Sequence, residues 1–380
     1  MLVSSTLQRL TALCPKPWLA VAERLAISSR AVLPFVAGAL IGCAPARPPL
    51  TPARAAPDTK PQPAQRASAL PALTSEEVEL SAALRADVGQ LTGLTCPSAK
   101  SGKARGCGRN SDAVWELAEV ADWLGAQLEG AGYSVSRQGI ELPGTTVLNL
   151  DVGVPGGYRG GELVVVGAHY DAVTGSPGAD DNASGVAGVL ALARSFKGRR
   201  HQRSLRFVLF VNEEPPHFQT PSMGSFQYAK ALSEAGRKVY AMLSLESIGY
   251  YSDAPRSQSF PTAAMAEAHP AIGNFIGVVG DERSRPLVTK AADLMRRHAS
   301  LPVEHHVLPV GAPGVDLSDH WAFGEFGYPA AMLTDTANFR NPHYHKATDT
   351  ADTLDYDRMA RVVSGVEAAL VELAGGPYLD

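Results

Sequence analysis

The sequence predicts one α/β domain, a three-layer arrangement in which helices cover both faces of a mostly parallel central sheet. Short apolar segments, such as residues 163–168 and 205–211, have the length of buried strands. A longer segment between them, residues 183–196, carries apolar residues at helical spacing. Strands that alternate with helices in this way favour a parallel sheet that is covered on both faces. No internal repeat and no second apolar core follows residue 74.

The helices are predicted from their apolar spacing and their end signals. Thr74 or Ser75 can cap the first helix, and Ser111 and Asp112 open the second, which ends before Gly132. Further helices are predicted at residues 183–196, 223–235, 286–298 and 356–373.

The strands are predicted from short apolar segments that lie between these helices. The segment Leu163-Val-Val-Val-Gly-Ala168 is apolar almost throughout, which is typical of a strand buried on both faces. The predicted strands are residues 147–154, 162–168, 205–211, 239–245, 275–279, 303–308 and 330–334.

The composition is that of an ordinary globular protein. The chain has 380 residues, of which 45% are hydrophobic and 19% are charged. Its 34 basic and 38 acidic side chains leave a net charge of -4, so charge gives no reason to expect nucleic-acid binding. No segment approaches the roughly 20 uninterrupted apolar residues of a transmembrane helix. The sequence gives no indication of an oligomeric state.

Residues 1–43 are typical of an export signal. Arg24 and Arg30 precede an apolar run at residues 31–40, which has the length of a signal-peptide core. The segment Leu40-Ile-Gly-Cys43 resembles the lipobox of bacterial lipoproteins, which predicts Cys43 as the lipid attachment site. A general secretory signal is the alternative.

Residues 44–73 are rich in proline and alanine and are predicted to be a tether that precedes the α/β domain at residues 74–380. Attachment by more than one acyl chain is firm, so we expect membrane contact through the lipid only. Ala44 is not the aspartate that retains many lipoproteins in the inner membrane, which favours the outer membrane in a cell that has one.

The remaining cysteines agree with export. Cys14 lies in the predicted signal, so Cys96 and Cys107 are left on either side of a polar loop. In an oxidising compartment, this short separation predicts a disulfide, with two free thiols as the alternative.

Polar side chains collect directly after the predicted strands. The residues that follow strand ends in this way are His169, Asp171, Glu213, Glu214 and Glu246. Ligands of an open α/β sheet bind beyond the carboxyl ends of its strands. Scattered surface carboxylates would not favour strand ends, so the pattern predicts a functional site at one edge of the sheet.

The types of these residues indicate a metal. Asp181 lies just before a predicted helix, and His345 lies in the loop after the last strand. Imidazole and carboxylate together suit zinc, and no cysteine is available for a closed structural site. The set contains two histidines and three carboxylates as possible ligands, and Glu213 is a further carboxylate. Five ligands are too many for one open zinc site. They suit two zinc ions that share a bridging carboxylate.

Six short segments resemble the M28 family of metallopeptidases, the zinc aminopeptidases of the co-catalytic type. They occur in the family's order within residues 110–375, and each segment alone is weak evidence for the family. The segments are His169-Tyr-Asp171, Gly178-Ala-Asp-Asp-Asn-Ala-Ser-Gly185, Asn212-Glu-Glu214, Leu245-Glu-Ser-Ile-Gly249, Ser318-Asp-His320 and His345-Lys-Ala-Thr-Asp349.

The resemblance implies a role for each ligand. Asp181 would bridge two zinc ions, with a cis peptide bond to Asn182. His169 and Glu246 would complete the site of one ion. Glu214 and His345 would complete the site of the other.

The same resemblance implies the catalytic residues. Glu213 would be the general base that takes a proton from water, and Asp171 would orient His169. Glu246 stands where some relatives have aspartate, and both are oxygen ligands. The loop at residues 215–221 replaces a shorter turn of many relatives, which leaves the substrate preference open.

Three residues are candidates for the substrate pocket. His320 is either near the substrate or a core histidine bonded to Asp319. His343 is a neighbour of the implied ligand His345, and Tyr250 either lines the cleft or packs beside it. Four other histidines are interpreted as surface residues: His201, His217, His305 and His306.

Four functions are compatible with this fold. An aminopeptidase agrees best, because all five implied ligands and Glu213 are present. A carboxypeptidase-like relative would differ in a pocket that the sequence does not reveal. A glutaminyl-cyclase-like acyltransferase uses one zinc ion and would not need His169 as a ligand. A non-catalytic binding protein would not need to keep the ligand set.

Overall fold

The structure is a computed structural model that describes residues 70–94 and 108–376. The predicted signal, the lipid site Cys43, most of the tether and the cysteine pair Cys96 and Cys107 lie outside these described residues. The fold described below belongs to the unit Arg66–Asp380. Within the described part of the chain, no helix has the length and apolar character that crossing a membrane requires.

The described helices are mostly those that the apolar spacing predicts. They are α1 (Ser75–Leu94), α2 (Val114–Gly130), α3 (Gly185–Phe196), α4 (Gly224–Glu234), α5 (Ala263–Ala268), α6 (Arg285–His298), α7 (His320–Glu325) and α8 (Tyr356–Leu373). The side chain of Thr74 accepts the backbone N–H of Glu77 at the start of α1, and Glu77 accepts the N–H of Thr74 in return. This reciprocal pair is a capping box.

Eight strands form one sheet. They are β1 (Ser136–Leu142), β2 (Thr145–Val154), β3 (Arg159–His169), β4 (Arg203–Phe210), β5 (Lys238–Glu246), β6 (Ile276–Asp281), β7 (Val303–Leu308) and β8 (Ala330–Thr334). Their order across the sheet is β1-β2-β4-β3-β5-β8-β6-β7.

The sheet is parallel at its centre and mixed at its edges. Strands β4, β3, β5 and β8 are parallel neighbours, whereas β2 runs antiparallel to β4 and β6 runs antiparallel to β8. The carboxyl ends of the four central strands therefore meet at one edge. Strand β6 begins at that same edge, because Gly277 pairs with Thr334.

Two layers of helices cover the sheet, which confirms the predicted three-layer α/β fold. Helices α1, α2, α3, α6 and α8 contribute to the larger apolar cluster on one face. Helices α4 and α7 contribute Tyr228 and Phe323 to the cluster on the other face. The central strands are buried on both sides, as the continuous apolar segment of β3 predicts.

Some elements differ from the sequence prediction. Strand β1 was not expected, because its sequence has no apolar alternation and only Ile140 is buried. The short helices α5 and α7 were not expected either. Helix α2 begins at Val114 rather than at Ser111 or Asp112, and Asp112 accepts a hydrogen bond from Thr174 instead of capping the helix.

Candidate metal centre and active site

The first cluster of potential metal ligands lies where β3 and β5 end. His169 is the last residue of β3, and Glu246 is the last residue of β5. Nε2 of His169 lies 3.1 Å from Oε2 of Glu246 and 3.3 Å from Oδ1 of Asp181. All three side chains are buried, and their ligand atoms are close enough to share one metal ion.

The second cluster lies on the other side of Asp181. Nε2 of His345 lies 3.0 Å from Oδ2 of Asp181 and 3.4 Å from Oε2 of Glu214. These three residues form the second group that can hold a metal ion. Asp181 belongs to both groups, and its two oxygens face different histidines. The five residues that the resemblance implies are thus brought together as two groups with one shared carboxylate.

A tight loop presents Asp181 to both clusters. The peptide bond between Asp181 and Asn182 is cis, as the resemblance implies. Gly178 begins the loop at φ 64°, a left-handed conformation that glycine adopts without strain. A Cβ atom at Gly178 would lie 2.5 Å from the carbonyl oxygen of Asp181. The absence of a side chain at this position therefore allows the backbone of Asp181 to approach.

Asp171 fixes the two glutamates more directly than it fixes His169. Its Oδ1 accepts the backbone N–H of Glu213 at 3.1 Å, and its Oδ2 accepts that of Glu214 at 3.0 Å. The carboxylate lies 3.6 Å from Nδ1 of His169, which is longer than a normal hydrogen bond. The backbone carbonyl of Asp171 lies 3.1 Å from that nitrogen. The carbonyl therefore accepts from Nδ1–H and leaves Nε2 to face the carboxylates.

Glu213 lies beside the first cluster without being a member of it. Its Oε2 is 3.9 Å from Nε2 of His169, and the residue is buried. Burial raises the pKa of Glu213 well above its usual value, although the nearby His169 acts in the opposite direction. Burial, followed by the charge of Asp181, raises the pKa of Glu214 to about 7. Burial also raises the pKa of Asp181, but His169 and His345 outweigh it and the net shift is downward.

Glu246 is held by hydroxyl groups that the sequence pattern did not single out. The Oγ–H of Ser318 donates to Oε2 of Glu246 at 2.8 Å, and that of Ser247 donates to Oε1 at 3.0 Å. Ser318 lies in the Ser-Asp-His segment, so the motif contained this residue although its role was not predicted. Such contacts orient a ligand carboxylate from behind.

Arg109, which no motif of the sequence indicates, supports the loop before Asp181. It is 1% exposed and donates to the carbonyl oxygens of Tyr170, Pro177 and Gly178 at 2.7, 2.7 and 2.8 Å. An arginine that satisfies three backbone carbonyls in a buried site fixes their relative positions. No pattern around Arg109 indicates this role, because backbone acceptors leave no trace in the sequence.

Residues 149–370 match the family description Peptidase family M28. The match covers more than half of the chain. The chain belongs to peptidase family M28. The prediction of a hydrolytic enzyme is therefore confirmed.

Many proteins are similar to this M28 peptidase, among them two relatives in sequence and one solved structure. YfbL, an uncharacterized protein of Escherichia coli (strain K12), is 38% identical over 266 residues, which cover 68% of this chain and 81% of YfbL. A probable leucine aminopeptidase of Arthroderma otae is 27% identical over 67% of this chain and 66% of its own. The crystal structure of the LapA aminopeptidase of Legionella pneumophila superposes with a TM-score of 0.59 at 22% identity, covering 83% of this chain and 79% of LapA. At that identity, the likeness to LapA shows the fold alone.

The M28 peptidase has an apolar pocket next to Glu246. Its lining extends from Glu246 and Tyr344 to Phe260, Met332 and His306. No motif in the sequence indicates this pocket, because its walls come from five separate parts of the chain. His306 was interpreted as a surface residue, whereas its half-buried ring lines the pocket. His201, also interpreted as surface, is 2% exposed.

The three proposed substrate-pocket residues do not line this cavity. His320 is buried in α7, and its Nε2 lies 2.6 Å from the carbonyl oxygen of Val315 rather than against Asp319. Nδ1 of His343 lies 3.0 Å from the hydroxyl of Thr348. The ring of Tyr250 packs edge-on at 6.0 Å from the ring of His343, beside the loop that carries His345.

Proposed function

We propose that this M28 peptidase is an aminopeptidase that removes N-terminal residues from peptides and uses two zinc ions. The shared carboxylate of Asp181 carries the proposal. Each of its oxygens lies within 3.3 Å of one histidine, and each histidine lies beside a further carboxylate. The relative from Arthroderma otae, a probable leucine aminopeptidase, supports the reaction type.

The donor set fits two zinc ions. Each group offers one imidazole and two carboxylates, which are ligands that zinc accepts, and leaves room for water or substrate as a further ligand. Asp181, Glu214 and Glu246 are each at most 5% exposed, so their negative charges are poorly solvated. Divalent cations neutralise such buried charge.

Glu213 transfers the proton in the proposed reaction. Zinc, when bound, supplies Lewis acidity that polarises the substrate carbonyl and makes water more acidic. As the water oxygen bonds to the carbonyl carbon, Glu213 accepts the proton that the water loses. As the carbon–nitrogen bond breaks, Glu213 passes that proton to the leaving nitrogen.

The charge around the centre favours a free N-terminus. The described site contains the carboxylates of Asp181, Glu213, Glu214 and Glu246 within a small buried volume. An α-ammonium group gains an ion pair where it lies next to one of these carboxylates, whereas an acetylated N-terminus is neutral and gains nothing. This difference selects exopeptidase substrates.

The apolar pocket receives the side chain of the N-terminal residue. It begins at Glu246, and its walls include Phe260, Phe339 and Met332. Such a lining favours large uncharged side chains, because a charged group would lose its hydration without gaining a partner.

Zinc content and hydrolysis of aminoacyl-nitroanilides test the proposal together. We expect about two zinc ions per chain and release of nitroaniline from free but not acetylated N-termini, lost on chelation. Hydrolysis of acetylated peptides at a free C-terminus would replace the aminopeptidase by a carboxypeptidase. One zinc ion with cyclisation of N-terminal glutamine would indicate an acyltransferase, and a chain that binds no metal would be a binding protein.

We also propose that the protein is exported and anchored by a lipid on Cys43, with the outer membrane favoured. The proposal rests on the sequence of residues 1–44. The Cys43→Ala variant should move from the membrane fraction to the soluble fraction, because a peptide segment without acyl chains does not anchor firmly. Firm membrane association of that variant would exclude the lipid.

A further inference from the structure

Three residues that line the apolar pocket, Met332, Val279 and His306, lie in one row across the sheet, and this row continues to Ser244 on β5. Ser244 on β5 pairs with Met332 on β8, Met332 pairs with Val279 on β6, and Val279 pairs with His306 on β7. Residues directly opposite one another on neighbouring strands point to the same face. Three strand spacings separate β5 from β7, or about 14 Å. The row therefore leads from beside the metal ligand Glu246 to His306 at the far end of the pocket.

His306 is the polar end of a largely apolar pocket. Its neighbours along the lining include Phe260, Leu308 and Met332. Within residues 70–94 and 108–376, no hydrogen bond ties the ring nitrogens of His306 to the protein; its described contacts are with the rings of Phe260 and His269. The two aromatic contacts thus hold the imidazole in position, and its two ring nitrogens remain available to hydrogen-bond a ligand.

A second histidine supports this ring. The rings of His269 and His306 have centroids 3.8 Å apart, and Nδ1 of His269 lies 2.9 Å from Oε2 of Glu304. An ionised carboxylate only accepts, so Nδ1 of His269 carries the proton in this bond. Glu304 thereby fixes His269, which packs against His306 from the side of the pocket wall.

His306 is neutral at neutral pH. Burial, followed by the charges of His269 and His305, lowers the pKa of His306 to about 4. A neutral imidazole has one N–H donor and one nitrogen acceptor. It is suited to an uncharged polar group, whereas a carboxylate or an ammonium at this end would be desolvated without an opposite charge.

We propose that His306 determines the specificity of the pocket by hydrogen-bonding N-terminal side chains that end in an uncharged polar group, of which the phenol of tyrosine is the best fit. The inference rests on the proposed aminopeptidase function and adds a substrate class to it. A tyrosine ring fills apolar walls and carries its hydroxyl on the distal end of a rigid side chain. Leucine has the apolar character without a polar end, and phenylalanine has the ring without the hydroxyl.

The test compares kcat/KM for tyrosyl- and phenylalanyl-nitroanilide, because the two substrates differ by one hydroxyl group. A site that hydrogen-bonds a substrate hydroxyl discriminates against the analogue that lacks it. We expect the parent to prefer tyrosine by about tenfold or more, the change that one such bond produces. His306→Leu should bring the ratio to about one by lowering the tyrosine value, with the phenylalanine value changed by less than about threefold.

Two further variants separate specificity from structure. His306→Asn keeps a donor and an acceptor and should retain part of the preference for tyrosine. His305→Leu is the matched control, because His305 is the neighbouring histidine on β7 and bonds Arg296 instead of lining the pocket; it should keep the parent ratio. A parent ratio near one, or the same ratio in His306→Leu as in the parent, would overturn the inference while leaving the aminopeptidase intact. A parent that hydrolyses neither substrate would overturn both proposals.

Discussion

The backbone N–H of Glu213 donates a hydrogen bond of 3.1 Å to Oδ1 of Asp171. The other oxygen of the same carboxylate accepts the N–H of Glu214, so one side chain after β3 fixes the loop after β4. The proposed base and a proposed metal ligand are therefore positioned by the same group. The neighbouring His169 is oriented by the backbone carbonyl of Asp171, which does not depend on the side chain.

Asp171→Asn should disturb the two glutamates and spare His169. An asparagine offers one oxygen and one NH₂ group, so one of the two backbone N–H groups loses its acceptor, at a cost of about 1–3 kcal/mol. We expect kcat/KM to fall at least tenfold, with weaker zinc binding in the group of Glu214. Zinc titration and initial rates measure both effects. Asp112→Asn, at an exposed position that bonds Thr174, is the control and should behave like the parent.

Glu213→Gln should keep zinc and lose turnover. Glutamine has nearly the shape of glutamate but cannot accept a proton from water, and general-base catalysis contributes about 10²–10⁴ in rate. We expect kcat to fall by that factor, while zinc content and KM change little. Glu234→Gln, on an exposed helix position, is the matched control. Turnover at the parent rate in Glu213→Gln would show that another group moves the proton.

The sequence predicted the core of the site because strand ends and ligand types are local features. His169 and Glu246 each end a strand whose apolar run is visible in the sequence, and parallel strands bring such ends to one edge. The supports were not predictable in this way. Arg109 contacts carbonyl groups 61 to 69 residues away, and an accepting carbonyl exists at every residue.

The residues that line the pocket could not be predicted from the sequence either, because they depend on the register of the strands. The segment Val-Glu-His-His-Val-Leu of β7 contains two adjacent histidines, and nothing in it indicates which one faces the pocket. The pairing of His306 with Val279 decides the face. A shift of one residue would turn His305 into the pocket instead.

Chelation should remove activity and lower the stability of the folded protein. Without a cation, the buried carboxylates of Asp181, Glu214 and Glu246 repel one another. A ligand at 100 times its Kd stabilises the fold by about 2.7 kcal/mol per site, so we expect a clear fall in Tm with chelator. Thermal unfolding and activity, each followed by zinc re-addition, measure the effect. Restoration by magnesium alone would argue against a zinc site, because magnesium prefers oxygen ligands.

His306 should make stability depend on pH in a defined direction. Burial, with smaller contributions from His269 and His305, lowers the pKa of His306 to about 4 in the folded state, below its unfolded value of 6.5. The folded state therefore binds the proton less readily, and this contribution to stability is complete above pH 6.5 and is lost as pH falls towards 4. After a discount for partial exposure, we expect the contribution to be about 1 kcal/mol.

Urea unfolding of the parent and His306→Leu at about pH 7 and about pH 5 measures this contribution. The variant should lose about 1 kcal/mol less stability than the parent between the two conditions. His298→Leu removes an exposed histidine that pairs with Glu372 and is the control. It should lose as much stability between the two pH values as the parent does. Equal losses in the parent and His306→Leu would contradict the assignment.

Alanine variants of two nearby glycines distinguish the effect of backbone strain from the effect of steric crowding at the metal centre. Gly175 and Gly178 both have positive φ, 89° and 64°, so alanine at either position costs about 1–2 kcal/mol in backbone strain. No atom lies within 4 Å of a Cβ at Gly175, whereas a Cβ at Gly178 would lie 2.5 Å from the carbonyl oxygen of Asp181 and 2.7 Å from Nη2 of Arg109. Gly178→Ala must therefore displace the loop that presents Asp181 to both histidines.

We expect Gly178→Ala to lose zinc and about 2 kcal/mol more stability than Gly175→Ala, which should keep its zinc. Zinc content and urea unfolding of the two variants measure the difference, and equal zinc content in both would show that the close approach at Gly178 does not hold Asp181 in place.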